Sequence, residues 1–368
     1  MIVGWLFPDR ERCGIAIYSR NYISALEKHC DIKSVNSDLW LDNPVKFSEE
    51  LNSCDLIHIQ YEPSFFSKRN HDYYTTLLRR LKRPLIVSLH EVYRQFPGVY
   101  PRDQIRGGLI TSSIKKWYYD FRHPLQTAYT KHVSSGFGAS QLLVHHQFQK
   151  RILEKKVPQN CRICVIPHPV MKVERSTLIN RSPEGPLKLG TTGFINPEFN
   201  YPLLYETLEK LKCEWKFFWI GGLRIPEHRN LLDSIKQEID RRDWTQKFII
   251  TDWVSDETQN YLLEKIDIYC AFFKNRSSSG SLARAMGACR CIIATESEIV
   301  HEINAMGENN CITAIDAEGT LIAQKIDSLS RDTKTSLMQL EALNDYSIAF
   351  DFDSIALRLI QLYKSIAL

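Results

Sequence analysis

Short β-branched, apolar runs alternate with longer amphipathic stretches along almost the whole chain, and this alternation constrains the fold more than any single motif does. Such short runs suit strands buried on both faces. The half-polar stretches between them suit helices that carry the chain from one parallel strand to the next. In the first half the strand candidates are Ile2–Phe7, Asp31–Val35, Leu56–Gln60, Leu85–Leu89, Lys131–Ser134 and Ile163–Ile166. In the second they are Lys188–Gly193, Lys216–Ile220, Phe248–Thr251, Ile268–Phe272, Cys291–Ala294 and Cys311–Ala314. Each half therefore predicts one doubly wound α/β sheet. Between them Val173–Pro186 (VERSTLINRSPEGP) is polar and rich in breakers, as a linker would be. The spacing gives one domain over 1–172, the linker 173–186, a second domain over 187–345 and a terminal segment 346–368. The helix predicted in that segment, Asp351–Ala367, has a broad apolar stripe through Ile355, Leu357, Leu359, Ile360, Leu362 and Tyr363, suited to packing back across the first domain.

At 368 residues the chain can bury two cores of ordinary size. Its apolar share of 43% and charged share of 24% exclude a disordered chain, and no apolar run reaches the length of a membrane span. The opening MIVGWLFPDRERCG turns polar too early for a signal peptide. The ten cysteines are scattered; Cys161 and Cys164 make a lone CxxC on an apolar run, which reads as core packing with no metal expected. Reduced thiols and no export signal point to the cytoplasm. The net charge of +4 is uneven: residues 1–170 hold 24 Lys and Arg against 15 Asp and Glu, and the remainder holds 23 against 28. A basic first half suits an anionic membrane surface, at the inner face of which the protein would be peripheral, or an anionic acceptor; an incidental surface composition accounts for it equally well. Nucleic acid is a poor partner for so small a net charge without a recognised motif.

Ligands of doubly wound sheets gather beyond the carboxyl ends of the strands. In the first half those ends carry Pro8–Gly14, Gln60–Glu62, His90–Glu91 and Ser134–Gly136. Gly14 opens a helix over roughly Ile15–Lys28, where backbone N–H groups and the helix dipole favour an anion. The same glycine is also what a tight strand–helix turn would ask for. Ser278-Ser279-Gly280-Ser281 makes a second such opening in the other half.

Several of these segments, in order, resemble glycosyltransferase family 4. They are Cys13–Tyr18 (CGIAIY), Asp55–Glu62 (DLIHIQYE), Pro84–His90 (PLIVSLH), Val165–Val170 (VIPHPV), Asp267–Phe272, Ser278–Ala288 (SSGSLARAMGA) and Ile292–Thr295. The resemblance implies a GT-B fold, two Rossmann-like domains facing across a cleft. It also implies a retaining hexosyltransferase that moves a sugar from a nucleotide-sugar donor to a glycan or lipid-linked acceptor of surface polysaccharide synthesis, without a metal or other cofactor. It assigns His90 to the transferred sugar. Gly14, Gly193, Val254, Ser279, Gly280 and Ser281 would serve the donor, and Glu62, Glu91, Arg102 and Arg106 the acceptor. Transferases of this kind resemble a front-face mechanism, which needs stabilisation of the departing diphosphate more than a protein nucleophile.

The pattern breaks in two places. Where many members carry paired glutamates for donor hydroxyls, this chain has Arg276 and Arg284, and a guanidinium only donates. The two cations that members place near Phe194 and Phe199 are missing. The expectation is that the two arginines take over the donor diphosphate. The alternative is a catalytically silent subunit that binds an acceptor or a partner protein. The aromatic, basic stretches Tyr100–Gly108 and Ile114–Arg122 fit an interfacial helix or a solvated helix lying over the core.

Overall fold

The computed structural model describes residues 1–68, 71–94, 96, 109–171, 185–274, 276–288, 291–307 and 309–367. Arg102, Arg106, the stretch Tyr100–Gly108 and all but the last two residues of the expected linker lie outside the described residues.

The chain divides into two compact units, one formed by Met1–Pro167 with Phe352–Leu368 and the other by His168–Asp351. The first holds six parallel strands: β1 (Ile2–Phe7), β2 (Asp31–Asn36), β3 (Leu56–Tyr61), β6 (Leu85–Leu89), β7 (Gln141–Val144) and β8 (Ile163–Val165), in the order β2-β1-β3-β6-β7-β8. A two-residue antiparallel pair, β4 (Ser67–Lys68) and β5 (His71–Asp72), lies between β3 and β6 in the chain. β3 and β6 are buried at every position, the mark of central strands covered by helices on both faces. The second unit holds β9 (Leu187–Thr192), β10 (Trp215–Ile220), β11 (Phe248–Ile250), β12 (Ile268–Ala271), β13 (Ile292–Thr295) and β14 (Thr313–Ile315), in the order β11-β10-β9-β12-β13-β14. Both sheets reverse their winding once, between β1 and β3 in the first and between β9 and β12 in the second. Crevices at the carboxyl ends of strands open at such reversals.

Helix Phe352–Ala367 belongs to the first unit. Its Tyr363 is fully buried, and the hydroxyl lies 2.5 Å from Nδ1 of His58 on β3. Phe352 meets the ring of Tyr22 at 5.3 Å, and Lys28 pairs with Asp353 at 2.6 Å on the surface. The exposed pair contributes little; the buried aromatic face does most of the holding.

One expected strand is wrong. Lys131–Ser134 is the last turn of helix Pro124–Ser134, and the strand is Gln141–Val144. Val133 and His132 are buried there, so a helix face imitates a short apolar run. Between helix and strand, Gly136, Phe137 and Gly138 have φ of +60°, +56° and +60°, a left-handed turn that reverses the chain. Ser134–Gly136 is accordingly not a strand end, and His145–His146 follow the strand instead.

Tyr61, His132 and Asp72 tie the hairpin to this helix. The Tyr61 hydroxyl lies 2.7 Å from His132 Nδ1, and His132 Nε2 lies 3.0 Å from Asp72 Oδ1. Burial opposes ionisation of Asp72, but hydrogen bonds from His132 and Thr75 outweigh it and hold the carboxyl below its usual range.

Candidate functional site

In the first unit the functional side chains collect at the β1/β3 reversal. Gly14 is the first residue of helix Gly14–Leu26, capped by Cys13 in extended geometry. Its backbone is outside the left-handed region, and a Cβ placed on it would meet nothing within 4 Å. Neither conformation nor packing therefore demands glycine here. What remains is open space above the N–H groups of a helix start.

β3 and β6 pair in register with Gln60 opposite Ser88, so the residues just beyond them, Glu62 and His90, emerge at the same edge. His90 is 7% exposed and its Nε2 lies 2.9 Å from Gln60 Oε1, which makes the ε nitrogen the donor. Tyr18 from the first helix meets the imidazole edge-on at 4.8 Å. Glu62 and Glu91 are half-buried. Burial, with these two carboxylates adding to it, keeps the Tyr129 phenol protonated far beyond neutral pH.

His145, the first residue after β7, completes this cluster and was missed because its strand was misplaced. It is fully buried, with its ring 5.7 Å from that of His90. Its Nδ1 donates to the Ile166 carbonyl at 3.1 Å, which leaves Nε2 as the acceptor facing the Tyr18 hydroxyl at 3.5 Å. The signal that could have found it is the apolar QLLV run after a glycine-rich turn, ending on two histidines.

Beneath them His58 sits between Tyr363 and Ser88, 2.7 Å from the Ser88 hydroxyl. Burial, then the neighbouring His90, lowers its pKa to about 3. It is a neutral strut, not a proton carrier at physiological pH.

In the second unit the corresponding edge lies at the β9/β12 reversal. Gly193 follows β9 with φ +120°, a conformation side chains rarely adopt, and a Cβ on it would approach Ser281 Oγ to 2.7 Å. The strand end and the start of helix Gly280–Ala288 are thus in direct contact. Ser279 caps that helix by accepting from the Leu282 N–H at 3.2 Å. Gly280, like Gly14, is exposed, and a Cβ on it would meet nothing within 4 Å. Val254 is half-buried, just ahead of helix Asp256–Glu264. Its neighbour Trp253 stacks on Phe194 at 5.6 Å, and the Arg224 guanidinium carbon lies 5.6 Å from the Phe194 centroid.

The two arginines have different surroundings. Arg276 lies in the segment after β12, its guanidinium carbon 5.8 Å from the Phe273 centroid. Arg284 is only 7% exposed; Nη2 donates to Asp256 Oδ1 at 2.9 Å and Nη1 donates to Gln259 Oε1. Gln259 in turn donates to the Thr192 hydroxyl at the end of β9. Arg284 therefore braces helix against helix beside Gly193, a role the sequence alone did not suggest. No cluster of three or more His, Cys, Asp or Glu suited to a metal ion occurs among the described residues.

Two doubly wound parallel sheets, each with a glycine-opened helix at its reversal, define the GT-B fold of glycosyltransferases. Solved structures match this architecture over essentially the whole chain. Anabaena HepE in complex with UDP-glucose is similar at 15% identity with a TM-score of 0.70, over 99% of this chain and 100% of that one. Sucrose-phosphate synthase from Thermosynechococcus elongatus is similar at 12% identity with a TM-score of 0.70, over 99% of this chain and 98% of that one. A glycosyltransferase from Rickettsia africae is similar at 17% identity with a TM-score of 0.67, over 99% and 98% respectively. No protein-family model matches the sequence, and a search of curated proteins finds no match. At these identities the likeness is one of fold.

Proposed function

We propose that this chain is a glycosyltransferase that takes its sugar from a nucleotide-sugar donor. The observation that carries the reading is the open space over Gly14 and Gly280, where glycine serves neither packing nor backbone geometry. A diphosphate needs close approach to backbone N–H groups, and a side chain at a helix start would obstruct it. The likeness to HepE, solved with UDP and with UDP-glucose, supports the same ligand class.

In this reading Gly193, Ser279, Gly280 and Ser281 hold the donor phosphates and sugar, and Val254 lies on the nucleotide side. His90 offers its imidazole to a sugar hydroxyl or to the incoming acceptor proton, oriented by Gln60. Glu62 and Glu91 serve the acceptor, a glycan or lipid-linked sugar. Arg276 supplies cationic charge to the diphosphate, and Arg284 joins it on releasing Asp256. The reaction retains anomeric configuration: the leaving phosphate and the attacking hydroxyl share one face of the sugar. Helix-start N–H groups stabilise the departing charge, and neither metal nor protein nucleophile takes part. A catalytically silent subunit is the second reading, favoured by one observation, the engagement of the Arg284 guanidinium with Asp256 and Gln259.

Thermal-shift titration of the full chain with UDP, GDP, ADP and their sugar conjugates separates the two. A specific donor at about a hundred times its Kd stabilises by about 2.7 kcal/mol, a readily measured rise in Tm. Stabilisation by one nucleotide class is the expected result. No response to any of them would sink the transferase reading and leave the silent subunit.

A further inference from the structure

Helix Leu109–Arg122 turns its apolar side away from the protein. Ile114, Trp117, Tyr118 and Phe121 are 61%, 69%, 56% and 63% exposed. At 3.6 residues per turn these positions fall within an arc of about 100°. The opposite side faces inward: Tyr119 is 8% exposed, and Asp120 accepts from Thr127 of the next helix at 3.1 Å. An amphipathic helix lying on a core would bury the stripe and expose the rest. Here the order is reversed, and among the described residues Trp117 and Phe121 stack only on each other, at 6.2 Å. A contiguous exposed patch of this composition marks an interaction surface.

Charge indicates the occupant. Lys115 and Arg122, both exposed, lie along one flank of the stripe, about 90–110° from its centre. Over residues 79–131, the stretch that contains this helix, the sequence holds eleven Lys and Arg against three acidic residues, which is most of the positive excess of the first half. A second copy of the chain is disfavoured, because a two-fold contact through the stripe would set the same cations against each other. An anionic lipid surface meets both demands. Its headgroups pair with Lys and Arg, while Trp, Tyr and Phe sink to the headgroup–acyl boundary. The helix has 14 residues, and no described helix is long and apolar enough to cross a membrane, so it would lie in the interface plane.

We infer that helix Leu109–Arg122 docks this protein on anionic lipid bilayers through Ile114, Trp117, Tyr118 and Phe121, with Lys115 and Arg122 in the headgroup layer. The inference stands on the helix alone and does not depend on nucleotide binding. It is tested by co-sedimenting the full chain with vesicles of phosphatidylcholine, alone or mixed with phosphatidylglycerol. Wild type should pellet with the mixed vesicles, release as salt screens the headgroups, and stay in solution with phosphatidylcholine alone. Trp117→Ser with Phe121→Ser should lower partitioning roughly tenfold or more, and Lys115→Glu with Arg122→Glu should remove the preference for anionic lipid. All four side chains are exposed, so both variants should keep the wild-type Tm and nucleotide response. Three outcomes overturn the inference: no binding by wild type, unchanged binding by the Trp117/Phe121 variant, or a wild-type dimer in sedimentation velocity that the same variant dissociates.

Discussion

The His58 strut should make the first domain sensitive to mild acid. In the folded chain burial and the neighbouring His90 hold its pKa near 3, against 6.5 for a free imidazole. The folded value is the lower one, so the contribution is present above pH 6.5 and is lost as pH falls. Below 6.5 the unfolded chain takes up a proton that the folded chain refuses until near pH 3. The loss grows at about 1.4 kcal/mol per pH unit, which makes it about 2 kcal/mol at pH 5. His58→Gln keeps a polar group between Tyr363 and Ser88 but cannot titrate. Urea denaturation of wild type and variant at pH 7.5 and pH 5 gives the difference of differences, in which every other histidine cancels. The variant should start less stable, as a buried hydrogen-bond pair is disturbed, and should then lose about 2 kcal/mol less than wild type on acidification. Equal losses would refute the reasoning. Should the variant not fold, carbon-labelled histidine in wild type gives the same answer, since a His58 resonance that titrates near pH 6.5 contradicts it.

Two further outcomes bear on the site. Arg284→Ala should weaken nucleotide-diphosphate binding by about tenfold to a hundredfold, as charge-assisted bonds contribute about 1.5–3 kcal/mol each; Asp256→Asn, which frees the guanidinium, should tighten it in isothermal titration. Unchanged affinity in both would make Arg284 a brace and nothing more. His90→Ala should lower turnover on the true acceptor by about 10² or more while nucleotide affinity changes little, measured as kcat alongside Kd; wild-type turnover would assign His90 a structural role only.

The fold was legible because its central strands are buried on both faces and so read as mostly apolar runs, as IVGWLF and LIVSL do. The misreading at Lys131–Ser134 came from a helix end whose inward face, His132 and Val133, looks like a strand when four residues are taken alone. Of the site, the glycine openings were visible because they depend on neighbours in sequence. The His145 contact with His90 joins strands 55 residues apart, and the Asp256 contact with Arg284 spans 28 positions. Nothing local encodes either. The aromatic and basic composition of Ile114–Arg122 was equally plain, but composition does not say which way a helix faces; that is decided by the burial of Tyr119 and by Asp120 accepting from Thr127 of the next helix.

The first unit is made of two chain segments with the whole second unit between them. A ribosome therefore delivers strands β1 to β8 long before the helix that covers His58. Through that interval Tyr18, Tyr22 and the outer side of β3 lack the cover that Phe352 and Tyr363 later give. The second unit, contiguous in the chain, can close as soon as it emerges. Folding order is then inverted with respect to synthesis. The domain begun first is finished last, and a nascent chain arrested between the two carries one completed domain and one that still exposes apolar surface to chaperones.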